Sequence, residues 1–138
     1  MTNTIAAREE LKRRIDAIEG GYELMLAYAA QGLPTDLGTP NGGQLRDALG
    51  KFDAALSGLG DVFRQVAAAT QADRTSAYAE FLEVLDRDAR AAQAGIRLVI
   101  AQPAISSMLV DNLNASIHVR ALLTDVFLVD EALKDLRS

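Results

Sequence analysis

Apolar residues recur along this chain at alternating spacings of three and four, and nowhere at a sustained spacing of two. Leu11, Ile15, Ile18, Tyr22, Met25 and Ala29 make a first seam of this kind. Leu45, Leu49, Phe52, Leu56, Leu59, Phe63 and Val66 make a second, with Ala48, Ala55, Val62 and Ala69 as a strip beside it. Tyr78, Leu82, Leu85, Ala89, Ala92, Ile96 and Val99 make a third. This is the period of α-helices packed at shallow angles against their neighbours. The pattern predicts an all-α, antiparallel four-helix bundle with long helices at 4–33, 44–69, 73–101 and 103–136.

The breaks follow from composition. Residues 32–43 hold two prolines and four glycines in twelve positions, which no helix tolerates, so a long loop is expected there. Thr4 and Asp73 are the best N-cap candidates for the first and third helices. At Pro103 the third seam loses its phase, since continuing the count reaches Ser106, Arg120, Thr124 and Glu131. Pro103 therefore reads as the first residue of a new helix after a tight turn. That fourth helix has a broad apolar arc, made of Ile105, Met108, Leu109, Val119, Leu122, Leu123, Val126, Val129 and Leu133. Short turns make the second, third and fourth helices antiparallel. With 138 residues, the chain reads as a single helical domain over 1–138.

Composition narrows the functional classes. There is no cysteine, which removes disulfides, thiolate metal sites and cysteine nucleophiles. The net charge is −5. The densest basic cluster, Arg8, Lys12, Arg13 and Arg14, alternates with Glu9, Glu10 and Asp16, as on a solvated, salt-bridged helix face. No nucleic-acid partner is expected from that balance. No run reaches the ~18 apolar residues that a membrane span needs, so no membrane partner is expected. Met1-Thr2-Asn3-Thr4-Ile5 lacks a basic region followed by an apolar run, so it does not read as a secretory signal, and a cytoplasmic location is expected.

Candidate chemistry is sparse. A di-metal carboxylate site in a bundle uses Glu-x-x-His on two helices. The single histidine, His118, has Ala115 three residues before it, and no metal or other cofactor is expected. His118 falls at the edge of the polar arc of the fourth helix, in a stripe with Asp111, Asn114 and Asp125. An exposed histidine on a bundle helix is what phosphotransfer requires. Histidine phosphotransfer domains carry a lysine and a glycine within a turn after it, where this chain has Val119-Arg120-Ala121-Leu122. A surface histidine beside acidic neighbours is the simpler reading, and no catalytic residue is assigned.

Three features remain. Gly20 and Gly21 interrupt the first helix. Gly58 closes a Gly50, Ala54, Gly58 series of small residues on the second. Asn112, Ser116 and Asp130 stand as polar residues within the apolar arc of the fourth. Gly20, Gly21, Gly58, Asn112 and Ser116 could line a small-molecule pocket between helices. Val126, Phe127, Leu128 and Val129 are consecutive, so they point in four directions, and one core cannot bury them all. Phe127 and Leu128 are expected on the outer surface as interface candidates. The expected function is that of a non-enzymatic helical interaction protein of adaptor, regulator or small-chaperone type, forming a homodimer, with its protein partner unspecified. A small-molecule-binding bundle is the alternative, and phosphotransfer at His118 a more remote one.

Overall fold

The chain ends its first helix where its backbone turns left-handed. Gly32 has φ of 65°, Pro34 follows, and α1 spans Thr2–Ala30 rather than 4–33. A glycine in this conformation just past the last turn is a common helix stop. The computed structural model describes residues 2–70, 72 and 76–137, with side chains at 5–70, 72 and 76–134. Among these residues the structure is all-helical, with six helices rather than four long ones. They are α1, α2 (Gly42–Leu56), α3 (Leu59–Ala69), α4 (Ser76–Ile100), α5 (Ser107–Ala115) and α6 (Ile117–Arg137). The expected cap at Asp73 lies outside the described residues.

Two of the expected helices are broken, each for a local reason. Ser57 is extended and Gly58 has φ of 70°, a left-handed position that glycine adopts without steric penalty. The apolar seam runs through this break undisturbed: Leu49, Phe52, Leu56, Leu59 and Phe63 are all buried. Flanking helices satisfy the polar groups that the break opens. Arg14 of α1 donates to the carbonyls of Ala55 and Ser57. Gln93 of α4 donates to the Asp53 carbonyl at 2.9 Å and to Ser57 Oγ at 2.8 Å.

The second break is at Ser116, which is extended and whose Oγ accepts from Val119 N at the start of α6. Pro103 does not open a helix. It lies in the connection 101–106, and the next helix begins at Ser107, capped by Ser106 Oγ accepting from Leu109 N at 3.0 Å.

Contacts fix the directions. Gly21 of α1 lies against Phe52 of α2, while Arg14, earlier in α1, reaches Ser57 beyond α2. Arg97 meets Asp53 and Arg64 meets Asp86, so α4 runs back along α2 and α3. Gly95 approaches Leu113 and Asp88 faces Asp125, so α5 and α6 run back along α4. The core between them is aliphatic with a few rings, and Tyr28, Phe52, Phe63, Leu45, Leu85 and Ile96 are among its most enclosed side chains.

One end is tied by polar bonds within this apolar frame. Asp36, in the middle of the long loop, is 4% exposed. Its carboxylate accepts from Arg46 Nε at 2.6 Å and from Ile105 N at 2.7 Å. Arg46 continues to the carbonyl of Ile100, an acceptor that the end of α4 leaves open, and to those of Gln102 and Pro103 just beyond it. Tyr28 Oη donates to the Ile105 carbonyl at 2.6 Å, and Ser107 Oγ donates to the Tyr28 carbonyl at 2.6 Å. Arg46 holds the Asp36 carboxyl below the usual carboxylate range, against the opposing effect of burial. The loop is thus a fastened strap across α1, α2 and the α4–α5 connection.

Candidate functional site

The outer face of α6 is built by helix geometry alone. Val119, Leu122, Val126, Val129 and Leu133 fill the core-facing arc. At 100° per residue the opposite arc receives Ile117, Arg120, Thr124, Phe127, Leu128 and Glu131, and each of these is exposed. Phe127 is 53% and Leu128 58% exposed, and Ile117 is 74% exposed. Beside Leu128 a shallow, almost wholly apolar groove of about 180 Å³ runs between α4 and α6. It is lined by Ala77, Tyr78, Phe81, Leu128, Val129 and Ala132. Along α4 the positions bordering this side, Phe81, Val84, Asp88, Ala91 and Gly95, are half-buried at spacings of three and four. A single helix presents its core seam inward; α4 carries this second seam toward α6 and the solvent beyond it.

Beneath that face lies the chain's least ordinary electrostatic feature. Asp125 is 7% exposed, and its Oδ2 has no hydrogen-bond donor among the described residues. Asp88 of α4 faces it. Burial, and then the hydrogen bond and charge of Asp88, push the Asp125 carboxyl up to about 7. A buried carboxyl beside a second carboxyl ionises only at a cost, so the neutral form of Asp125 is favoured. The expectation that Asp125 shares a polar stripe with Asp111, Asn114 and His118 is corrected here. Asp111 and His118 are exposed, whereas Asn114 and Asp125 are buried. His118 and Asp125 lie on one flank of α6; Asp125 is at the level where Asp88 of α4 faces it, whereas His118 is in the exposed first turn.

The remaining candidates separate. Gly21 is packed on Phe52, where a Cβ would come within 2.9 Å of Cδ2, while Gly20 has nothing within 4 Å of the same position. Gly58 is exposed at the α2–α3 break. Asn112 is exposed rather than within the apolar arc, and the buried asparagine is Asn114, whose Oδ1 and Nδ2 have no partner among the described residues. Ser116 caps α6. Gly20 and Gly21 border a cleft with Asp16, Gln44, Asp47 and Lys51, whose lining does not include Gly58, Asn112 or Ser116. Met108, placed by periodicity in the core arc, is 74% exposed on α5.

A cleft of about 790 Å³ lies between the start of α1 and the end of α3. Its charged lining residues, Glu10 and Arg13, already bond each other at 2.6 Å. The Glu10 carboxyl is lowered by its bonds to Arg14 and Arg13. The basic cluster of α1 is partly committed within the fold in the same way, because Arg14 serves both Glu10 and the α2 break. Among the described residues no group of three or more His, Asp or Glu side chains is placed to hold a metal ion. No helix there is long and apolar enough to cross a membrane. Comparisons with protein-family models, with curated proteins and with solved structures find no match to this chain.

Proposed function

We propose that this chain is a non-enzymatic helical interaction protein that self-associates through the outer face of α6. In this reading the six helices act as an antiparallel four-helix bundle, with α2–α3 and α5–α6 each serving as one rod, and the working form is a cytoplasmic homodimer. The observation that carries it is the exposure of Phe127 and Leu128, consecutive on α6, with Leu128 bordering an apolar groove. Apolar groups gathered in this way on a protein surface mark interaction sites more often than scattered single residues do.

A second copy of the chain is the occupant we favour, on charge. Arg120, Thr124, Phe127 and Glu131 follow one another at spacings of four, three and four on the exposed arc. Arg120 and Glu131 have no salt-bridge partner among the described residues. A two-fold axis crossing α6 midway between Thr124 and Phe127 sets two such helices antiparallel. Arg120 of each copy then stands opposite Glu131 of the other, with Phe127 beside Thr124 between them. A face that matches itself under a two-fold axis is what a symmetric dimer requires.

The test is sedimentation of the wild-type protein at micromolar concentration, beside the Phe127→Glu and Leu128→Glu variants. Dimeric wild type and folded, monomeric variants support the reading. A wild-type protein that stays monomeric over the concentration range refutes it. A charge-swap pair gives a finer check. Arg120→Glu alone should weaken association, and Arg120→Glu with Glu131→Arg should restore it.

A further inference from the structure

We infer that the cleft between the start of α1 and the end of α6 is a binding site for a small amphipathic carboxylate, held by Arg8 and Lys12. The site lies on the flank of α6 turned to α1, and the inference does not depend on self-association.

The cleft has a volume of about 520 Å³, within the range of small-molecule sites. On α1 it is walled by Arg8 and Lys12, one turn apart, with Glu9 and Asp16 beside them and Leu11 and Ile15 as its apolar floor. Across from them α6 contributes Asp130 and Lys134, which pair at 3.7 Å. In the cleft between α1 and α3, Glu10 already holds Arg13, and beside Gly20 and Gly21, Asp47 holds Lys51 at 3.1 Å. The α1–α6 cleft differs, because Arg8, Lys12, Glu9 and Asp16 have no ion-pair partner among the described residues. Lys12 precedes Asp16 by four positions, the less favourable order for an ion pair along a helix.

Arg8 supplies the stronger observation. It is half-buried, and its Nε is shut off from water with no acceptor among the described residues. A buried N–H without an acceptor is destabilising, and turning the guanidinium fork into the adjoining cleft relieves this once an acceptor sits there. Nε and its neighbouring Nη present two parallel donors, which one planar carboxylate meets with two bonds. Lys12 adds a point charge to the same anion from one turn along. The three cations of the lining are balanced by Glu9, Asp16 and Asp130, so a singly charged carboxylate suits the cleft better than a phosphate carrying nearly two charges. Ile15 is partly buried against the core beside Leu11, and an apolar tail laid over it gains by leaving water.

The experiment is a two-dimensional proton–nitrogen NMR titration of the full chain with hexanoate, compared with hexan-1-ol and inorganic phosphate. Hexanoate should shift the amides of Lys12, Ile15 and Asp130 saturably, with a Kd of about 1 mM or below. Arg8→Gln should weaken binding by at least ~10-fold, the size of a lost charged hydrogen bond. Lys12→Gln, at an exposed position, should weaken it while leaving the core intact. Arg13→Gln removes a cation bonded to Glu10 outside this cleft and should bind as wild type does. Leu128→Glu should also keep the wild-type Kd, which separates this site from the proposed dimer face. Absence of a saturable shift overturns the proposal. So does wild-type affinity in either Arg8→Gln or Lys12→Gln, an equal response to hexan-1-ol, or tighter binding of phosphate than of hexanoate at these residues.

Discussion

Replacing Asp125 with asparagine keeps the outline of the side chain and removes its charge, which isolates the electrostatic penalty held between α4 and α6. The Asp125 carboxyl is raised from 3.8 to about 7 by burial and by Asp88. That is ~3 units, and at ~1.4 kcal/mol each it amounts to ~4 kcal/mol of preference for the protonated form. The sign follows from linkage. Below about pH 4 the folded and unfolded chains both hold this proton, and the site contributes no penalty. Between about pH 4 and pH 7 the unfolded chain releases it while the folded chain keeps it, so stability falls as pH rises. Above about pH 7 the folded protein carries the full deficit. Relaxation and water entry reduce such penalties, so ~2 kcal/mol is the expected loss in unfolding free energy between about pH 5 and pH 9.

Asp36 does not confuse this window. Its carboxyl is lowered, first by Arg46, so its stabilising effect is complete above the ordinary aspartate range and is lost only as pH falls below it. Urea unfolding followed by far-ultraviolet circular dichroism, at one protein concentration and two pH values, reads the difference directly. Asp125→Asn should be the more stable protein at about pH 9 by ~2 kcal/mol, with little difference at about pH 5. Equal wild-type stabilities at the two pH values, or an asparagine variant less stable than wild type at the higher one, would show that burial and Asp88 do not raise the Asp125 carboxyl.

The mid-helix glycines give a matched contrast. Gly20→Ala meets nothing within 4 Å and should raise thermal stability by up to ~1 kcal/mol through helix propensity. Gly21→Ala drives its methyl group into the Phe52 ring and should destabilise by ~1–3 kcal/mol; equal melting temperatures for the two variants would refute the close approach of α1 and α2. Arg46→Ala leaves the buried Asp36 carboxylate without its cation and should cost about 3 kcal/mol in urea unfolding. Arg46→Lys should recover only part of this, since one ammonium cannot reproduce the guanidinium fork that reaches Asp36 and three carbonyls at once.

The helical class was legible because periodicity reports which side of an element is buried. Leu11, Ile18 and Met25 in the first seam, and all of Leu45 to Val66 in the second, are buried as their spacing predicts. The break at Ser57-Gly58 was hidden by the same regularity. The seam crosses it in phase, so hydrophobic spacing carries no trace of it. The local signal was the Ser-Gly pair itself, a common turn dipeptide. At Pro103 the loss of phase was real, but its cause was misplaced. Ile105 donates its N–H to Asp36 and accepts at its carbonyl from Tyr28, which holds the connection extended until Ser106 can cap a helix. Those ties join residues 69 and 77 positions apart, and no local pattern contains them.

The outer face of α6 and the acid pair behind it were unequally readable for one physical reason. Exposure of Phe127 and Leu128 follows from four consecutive large apolar residues on a single helix, since any core takes only part of the circle. Burial of Asp125 depends on where α4 lies. His118 and Asp125 share one flank of α6, yet His118, in the first turn, is exposed, while Asp125, faced by Asp88 of α4, is buried. A buried, donor-poor carboxyl is costly to keep. Asn112, one turn from Ser116, could sit on the surface without penalty, but Asp125 cannot be neutral in energy when ionised. Packing against α4 thus converts an ordinary polar position of α6 into one whose charge is costly to keep. Phe127→Glu and Leu128→Glu therefore test self-association, and Asp125→Asn tests the electrostatic penalty between α4 and α6, each without the other.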